Sequence, residues 1–449
     1  LLNTGRKLAT AVDPEVAPRY LYWWLLLAIF FEYARPGSFV PGITALKLNS
    51  LIPLSLLVFC VFARSLRPVE QILKDPLTKW LLIYFAVIAL SMAHGIVSLY
   101  AIEKSKQVLG YVFLFFIIVR IVTSNERLIG IFTTLLVAHL FLLLMNPAIV
   151  LNPEQRVYID GATFLGDGND FGLSLCILLP MAVALAINVQ SKWRRLLCWC
   201  TVVLLLLATI GTSSRGATLG LIAVAGYLWL ISPRKVLTLS GLAVAVVIVL
   251  AFAPDSYFQR MNTIAAYEED GSAMGRIDAW KASLRMAADH PLLGVGAGHF
   301  PLAIASSSYR PPDSDIARWI TAHSMYFLVL GELGLPGIMA LLMLVFGNMR
   351  ASSLLHRHLL ATTAMPDESR RGESARLLYL LNASMVGLAV AGAFLSVSYY
   401  PHLFVLTGLM VSCRCIARGL VSEDATVTHE LEKPLVTVHT PQPSNECKR

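Results

Sequence analysis

Three side chains combine a reactive type with a setting that suits chemistry. Arg215 stands in Gly211-Thr-Ser-Ser-Arg215-Gly-Ala, a turn of small residues between two long apolar runs. Small neighbours let an anion approach the backbone, and a guanidinium offers a fork of donors matched to phosphate oxygens. An arginine at a membrane boundary is costly and generally has a partner, so a lipid headgroup is the plain alternative. Arg276 lies one turn before Trp280 in a stretch that reads as a helix from Gly275 to Asp289, stopped by Pro291. At helical spacing Ile277, Trp280, Leu284 and Ala288 share an apolar face, with Asp278 and Arg285 opposite and Arg276 at the edge. Arg276 can therefore lie over a membrane surface, as a phosphate ligand or as a snorkelling arginine on an interfacial helix. His323 stands in Ala322-His323-Ser-Met-Tyr, just ahead of Glu332-Leu-Gly-Leu-Pro-Gly337. An imidazole can accept a proton near neutrality, although a lone histidine is often structural.

The elements that position these residues follow from composition. Of 449 residues 56% are hydrophobic and 14% charged, and the mean hydropathy is +0.67. Soluble domains carry about 45–50% apolar and about 25% charged residues, and a water-surrounded core cannot hide this much hydrocarbon. A soluble enzyme, a disordered chain and a fibrous chain are excluded. Apolar runs near the length of about 20 residues that spans a bilayer predict an all-α polytopic membrane protein of about twelve transmembrane helices. They cover 20–34, 46–63, 79–98, 107–122, 128–146, 171–189, 195–211, 216–232, 236–253, 323–348, 377–397 and 401–417. The tenth, interrupted by Gly331, Gly334, Pro336 and Gly337, is one kinked helix or two pieces. Runs this long exclude barrel strands.

With the N-terminus inside, about two-thirds of the Lys and Arg fall on the inner side, as the positive-inside rule asks. Both termini are then cytoplasmic, and the formal charge of +8 reflects topology and not a nucleic-acid partner. Residues 1–253 hold nine spans, 254–322 form a long outer loop, 323–418 hold three more spans, and 419–449 are a polar cytoplasmic tail. The first span reads as an uncleaved anchor. Loops as long as 254–322 are generally functional, and Arg215, Arg276 and His323 all belong to that outer compartment.

Other patterns read as structure. Gly294-Val-Gly296-Ala-Gly298 follows no strand and is a tight turn. Asp167-Gly-Asn169-Asp170 heads the sixth span as a helix cap. Asp313-Ser-Asp315 follows Pro311-Pro312 and reads as a turn more readily than as a metal site. The Cys198/Cys200 and Cys413/Cys415 pairs lack zinc spacing. No metal and no cofactor are expected.

Several segments resemble the O-antigen ligase superfamily, which contains lipopolysaccharide O-antigen ligases, O-antigen polymerases and protein O-oligosaccharyltransferases. The resemblance runs over roughly residues 160–350. It is carried by Thr163-Phe-Leu-Gly-Asp-Gly-Asn169, Ser214-Arg215-Gly-Ala, Arg276 with Trp280, His290-Pro-Leu-Leu-Gly-Val-Gly-Ala-Gly-His-Phe300, and His323 with Glu332-Leu-Gly-Leu-Pro-Gly337. Where relatives often have His-Asn, this chain has His323-Ser324.

The resemblance implies a membrane-embedded (GT-C-like) glycosyltransferase of the bacterial inner membrane, inverting and metal-independent, with its active site on the periplasmic side. Its donor would be an undecaprenyl pyrophosphate-linked glycan and its acceptor a sugar hydroxyl of lipid A-core. Arg215 and Arg276 would bind the pyrophosphate, and His323 would serve as general base. Trp280, Lys281 and Arg318 would contact substrate, with Arg285 and Arg310 adding positive charge. The nearest alternative is an O-antigen polymerase with the same donor; a protein O-oligosaccharyltransferase fits less well with a short polar tail. From another class, twelve spans suit a secondary transporter, although half-to-half similarity and mid-membrane charges are not evident.

Overall fold

The computed structural model describes residues 17–63, 65–94, 99–152, 158–159, 164–262, 271–306, 308–310, 320–361 and 368–431. Among them the chain is helical, with a lone β-bridge between Tyr158 and Asp167. The main helices, in chain order, are α1 Arg19–Ala34, α2 Leu48–Phe62, α3 Pro76–His94, α4 Leu99–Ile121, α5 Asn125–Met145, α6 Gly168–Asn188, α7 Lys192–Gly211 and α8 Arg215–Ile231. There follow α9 Lys235–Phe252, α10 Asp255–Asn262, α11 Gly271–Asp289, α12 Met325–Leu342, α13 Asn348–Ala361, α14 Glu368–Ala391 and α15 Pro401–Leu431.

Among the described residues seven helical stretches are long and apolar enough to cross a bilayer: α5, α6, α7, α9, the α12–α13 run Met325–Ala361, Ser369–Phe394 and Pro401–Val421. Leu48–Phe62, Pro76–Met92 and Arg215–Ile231 are apolar but shorter. Helix α9 shows what the solvent must be: its hydropathy is 2.4, yet none of its residues is buried. One of its faces is half-covered by the Leu206, Ile210 and Tyr257 cluster and the rest is exposed; so apolar an outer surface is stable only where hydrocarbon surrounds it and its backbone bonds are internal. The protein is a polytopic membrane protein. Each of the twelve segments read from the sequence falls on a helix; twelve crossings belong to the proposal below.

Helix α6 is the central post. Its candidate span is 78% buried, and it packs against α5, α7, α8 and α14. Gly172 makes the fit at its upper end, since a Cβ there would lie 2.8 Å from Thr212 Oγ1 and 2.9 Å from the Ala217 Cβ. The small side chain lets the turn between α7 and α8 settle against the start of α6. That turn holds Ser213 with φ 49° and ends at Ser214, whose side chain caps α8 by accepting from the Ala217 N–H. Asp167 caps α6 in the same way through the Asn169 N–H at 2.7 Å, as the sequence implies.

One open alternative is resolved and one expectation changes. The tenth apolar run is one helical path broken at Gly334 (φ 64°, ψ −160°), followed by a π-turn at Met343–Gly347 that leads into α13. The break exists because the Gly294–Gly298 turn docks there: Leu335 N–H donates to the Pro291 carbonyl at 2.8 Å, and a Cβ on Gly334 would stand 2.4 Å from that oxygen. Helix α11 begins at Gly271 instead of Gly275, and the face it buries is Ala279, Ala282, Ser283 and Met286. Leu284 is 53% exposed and Ala288 is exposed. Small residues win the contact because they let α12 approach at Gly331, where a Cβ would meet Ser283 Cα at 3.4 Å. Bulk hydrophobicity alone favours the other stripe.

Candidate active site

Arg215 and Arg276 line one cleft. Its walls are Asn169, Ser213, Ser214, Arg215, Gly216, Arg260, Arg276, Phe394 and Leu395, around about 440 Å³ of open space. Each comes from a different part of the chain: Asn169 from the start of α6, Arg215 from the first turn of α8, Arg260 from α10, Arg276 from α11, and Phe394–Leu395 from the link between α14 and α15. Three arginines are among the described residues that line this space. The N-terminus of α8 adds the partial positive charge of its leading N–H groups. The cleft is built to hold an anion, and the planar forks suit phosphate oxygens.

Sequence reasoning passed over Arg260. Tyr257, one turn before it, hydrogen-bonds to Thr218 at 3.1 Å, and Thr218 is one turn along α8 from Arg215. Tyr257 also packs with Leu206 and Ile210. This anchor sets Arg260 beside Arg215; burial pushes the Tyr257 hydroxyl above its ordinary pKa, against the pull of the Thr218 bond, so it stays a neutral partner. A tyrosine and an arginine at helical spacing just beyond an apolar run were the available signal.

His323 is an exposed residue in left-handed backbone, φ 46°, between buried Ala322 and Ser324. A non-glycine residue with that φ persists only where its surroundings fix it. Trp280 Nε1–H donates to the Ala322 carbonyl at 3.0 Å, and its ring stacks on Phe327 at 5.0 Å and 10°. Ser324 caps α12 through the Phe327 N–H. Thr321 Oγ1 donates to Ser396 Oγ at 2.8 Å, and Ser398 Oγ donates to the Met325 carbonyl at 2.9 Å. Ser396 directly follows the Phe394–Leu395 wall of the cleft, so His323 is tied to the cleft's edge from both sides. Trp280 has its indole and its ring engaged in this fastening.

Glu332 fastens the Gly294–Gly298 turn and Tyr399 to α12. Its buried carboxylate accepts from Gly298 N–H and Phe300 N–H, each at 2.9 Å, and from Tyr399 Oη–H at 2.6 Å. The Gly294, Gly296 and Gly298 backbones all have positive φ; Gly294 N–H donates back to the His290 carbonyl at 2.9 Å, while Val295 N–H and Gly296 N–H donate to the Gly331 and Glu332 carbonyls of α12, each at 3.0 Å. The two motifs His290–Phe300 and Glu332–Gly337 are thus one interlocked unit. The link 392–400 serves as a spine for the whole region, since Tyr400 also donates to Asp170 at 3.3 Å.

Other candidates lie apart. Lys281 is exposed and pairs with Asp278 at 3.6 Å, outside the cleft lining. Arg285 is exposed on α11, and Arg310 donates to the Ala305 carbonyl at 2.8 Å. Arg318, Asp313 and Asp315 lie outside the described residues, as does Thr163.

An all-helical membrane bundle carrying an arginine-lined anion cleft beside a constrained histidine defines the class. Residues 200–342, from within α7 to the end of α12, match the family model described as O-Antigen ligase. That segment, about a third of the chain, holds Arg215, Arg260, Arg276, His323 and Glu332 and is what the chain shares with the O-antigen ligase family model. No curated relative matches the chain.

Proposed function

We propose that this protein is an O-antigen ligase of the bacterial inner membrane, with twelve spans, a GT-C-like architecture, both termini cytoplasmic and its cleft in the periplasm. It transfers glycan from undecaprenyl pyrophosphate to a sugar hydroxyl of lipid A-core. The observation that carries this reading is that Arg215 and Arg276, distant in sequence, line one cleft together with Arg260.

The acceptor oxygen attacks the anomeric carbon as the carbon–oxygen bond to pyrophosphate breaks on the opposite face, which inverts the anomeric centre. Negative charge grows on the departing phosphate oxygens, and preorganised donors aimed at that charge lower the barrier. Arg215, Arg260 and Arg276 supply those donors, so the reaction proceeds without a metal. His323 accepts the proton of the attacking hydroxyl as general base. Trp280 and Glu332 position the segments that carry these groups. Lys281 and Arg318 meet the phosphorylated core sugars of the acceptor.

The test is glycan transfer by purified protein, in chelator, with undecaprenyl pyrophosphate-linked glycan and either lipid A-core or a second lipid-linked glycan as acceptor. Product on lipid A-core is expected. Chain growth on the polyprenyl carrier would replace the reading with a polymerase, and coupled solute flux without transfer would replace it with a transporter.

A further inference from the structure

A second, larger hollow lies between α1, α2 and α4, around about 1160 Å³ of open space. About 460 Å³ of it is comparable with ligand pockets, inside their range of roughly 300–1,000 Å³, and the rest opens to the side. Its lining changes character in the same direction on all three helices. Along α1 it runs from Arg35 and Glu32 to Ala28; along α2 from Asn49 to Pro53 and Leu57; along α4 from Lys106 to Gly110, Leu114 and Ile117. The polar end lies at the end of the bundle that holds the cleft, because Tyr33, next to Glu32, packs on Phe164 at 5.4 Å, and Phe164 packs on Tyr400 at 5.7 Å. The apolar end opens sideways past Leu54, 58% exposed, and Phe113, 41% exposed. A hollow with a polar head and an apolar, laterally open tail matches a single lipid entering from the adjoining leaflet.

The charges at the head select among lipids. Glu32 is matched by Arg35 at 3.3 Å and receives the Tyr111 hydroxyl at 3.0 Å, with Gln107 donating to Tyr111 at 2.8 Å. Lys106 is exposed and makes no ion pair with a described residue, which leaves the head with one excess positive charge. Asn49 Oδ1 is buried with no hydrogen-bond partner among the described residues, an acceptor that a ligand hydroxyl would satisfy. At Gly110 a Cβ would meet nothing within 4 Å, so this residue keeps the floor of the hollow open.

We propose that this hollow is a specific site for one anionic glycerophospholipid of the phosphatidylglycerol class. Its phosphate lies at Lys106 and Arg35, a glycerol hydroxyl donates to Asn49 Oδ1, and its chains run over Gly110, Leu114 and Ile117. The site is distinct from the arginine cleft and does not rest on the donor or acceptor assigned above.

Native mass spectrometry of the full chain, delipidated and titrated with phosphatidylglycerol or with phosphatidylcholine of the same chains, tests it. One tight phosphatidylglycerol and no tight phosphatidylcholine are expected. Lys106→Gln, at an exposed position, should weaken phosphatidylglycerol about fivefold, the usual effect of one cation near a lipid surface. Gly110→Leu, which enters open space on a helix, should remove the tight site. Equal binding of both lipids, or unchanged phosphatidylglycerol binding in both variants, would overturn the assignment. Displacement of phosphatidylglycerol by equimolar lipid A-core would overturn it in favour of an acceptor groove.

Discussion

Trp280 and Ala322 are joined by an indole N–H to carbonyl hydrogen bond of 3.0 Å. That bond couples the helix carrying Arg276 to the residue before His323. The groups proposed to bind donor and to accept the proton are thus held in one frame, although forty-odd residues of chain separate them.

Trp280→Phe keeps an aromatic ring to stack on Phe327 but removes the indole donor. A neutral hydrogen bond contributes about 0.5–1.5 kcal/mol, so the rate of transfer should fall by up to about tenfold while donor affinity stays near wild type. Separate measurement of turnover and of donor binding distinguishes this from a role in contacting substrate, which would weaken binding instead.

Lysine at Arg215 or Arg276 preserves charge and loses the planar fork. Each variant is expected to lose transfer by tenfold or more, with the loss appearing in donor binding as well as in turnover. Arg260→Gln should weaken pyrophosphate-lipid binding and lessen its salt dependence. Wild-type binding by Arg260→Gln alone would remove that residue from the cleft's function and leave the other two; wild-type transfer by all three variants would sink the pyrophosphate assignment.

Glu332→Gln places an amide where Gly298 N–H, Phe300 N–H and Tyr399 Oη–H all require an acceptor. Hydrogen bonds to a charged group are worth about 1.5–3 kcal/mol each, and the seat of the Gly294–Gly298 turn should loosen. Lower thermal stability in detergent and lost transfer are expected together. A variant with unchanged melting and unchanged transfer would show that this carboxylate does not hold the site.

At the other end of the bundle, Asp75 is fully buried and accepts from Arg414 Nε and Nη2, each at 3.0 Å, and from Arg418 at 3.1 Å. Burial pushes its carboxyl up, but Arg414, Arg418 and the Leu77 N–H together hold it below the ordinary carboxylate value. A depressed pKa gives stability that is fully present above the unfolded value near 3.9 and is lost as pH falls through the folded value. Asp75→Asn should therefore cost about 3–5 kcal/mol, the range for breaking a buried pair, and should flatten the acid limb of a stability-against-pH curve. An acid limb identical to that of the wild type would contradict this.

Much of the architecture was legible because hydrocarbon solvent writes itself as long apolar runs, and every such run falls on a helix. The cleft was legible in part, since Arg215 and Arg276 stand out as charges at apolar boundaries. Arg260 lay hidden because its partner contact, Tyr257 with Thr218, crosses between helices and leaves no spacing rule. The buried face of α11 was misjudged because Ala279, Ala282 and Ser283 pack by smallness, which hydrophobic periodicity weighs lightly. The spine at Ser396, Ser398, Tyr399 and Tyr400 shows in sequence only as a polar cluster between two apolar runs. Its bonds to Thr321, Met325, Glu332 and Asp170 are tertiary.

The most direct measurement is single-turnover glycan transfer by purified His323→Ala beside wild type, with donor binding measured on the same samples. Wild-type donor affinity with no product on lipid A-core is the result expected of a lost general base. Transfer by His323→Ala at the wild-type rate would contradict the assignment of proton acceptance to this residue.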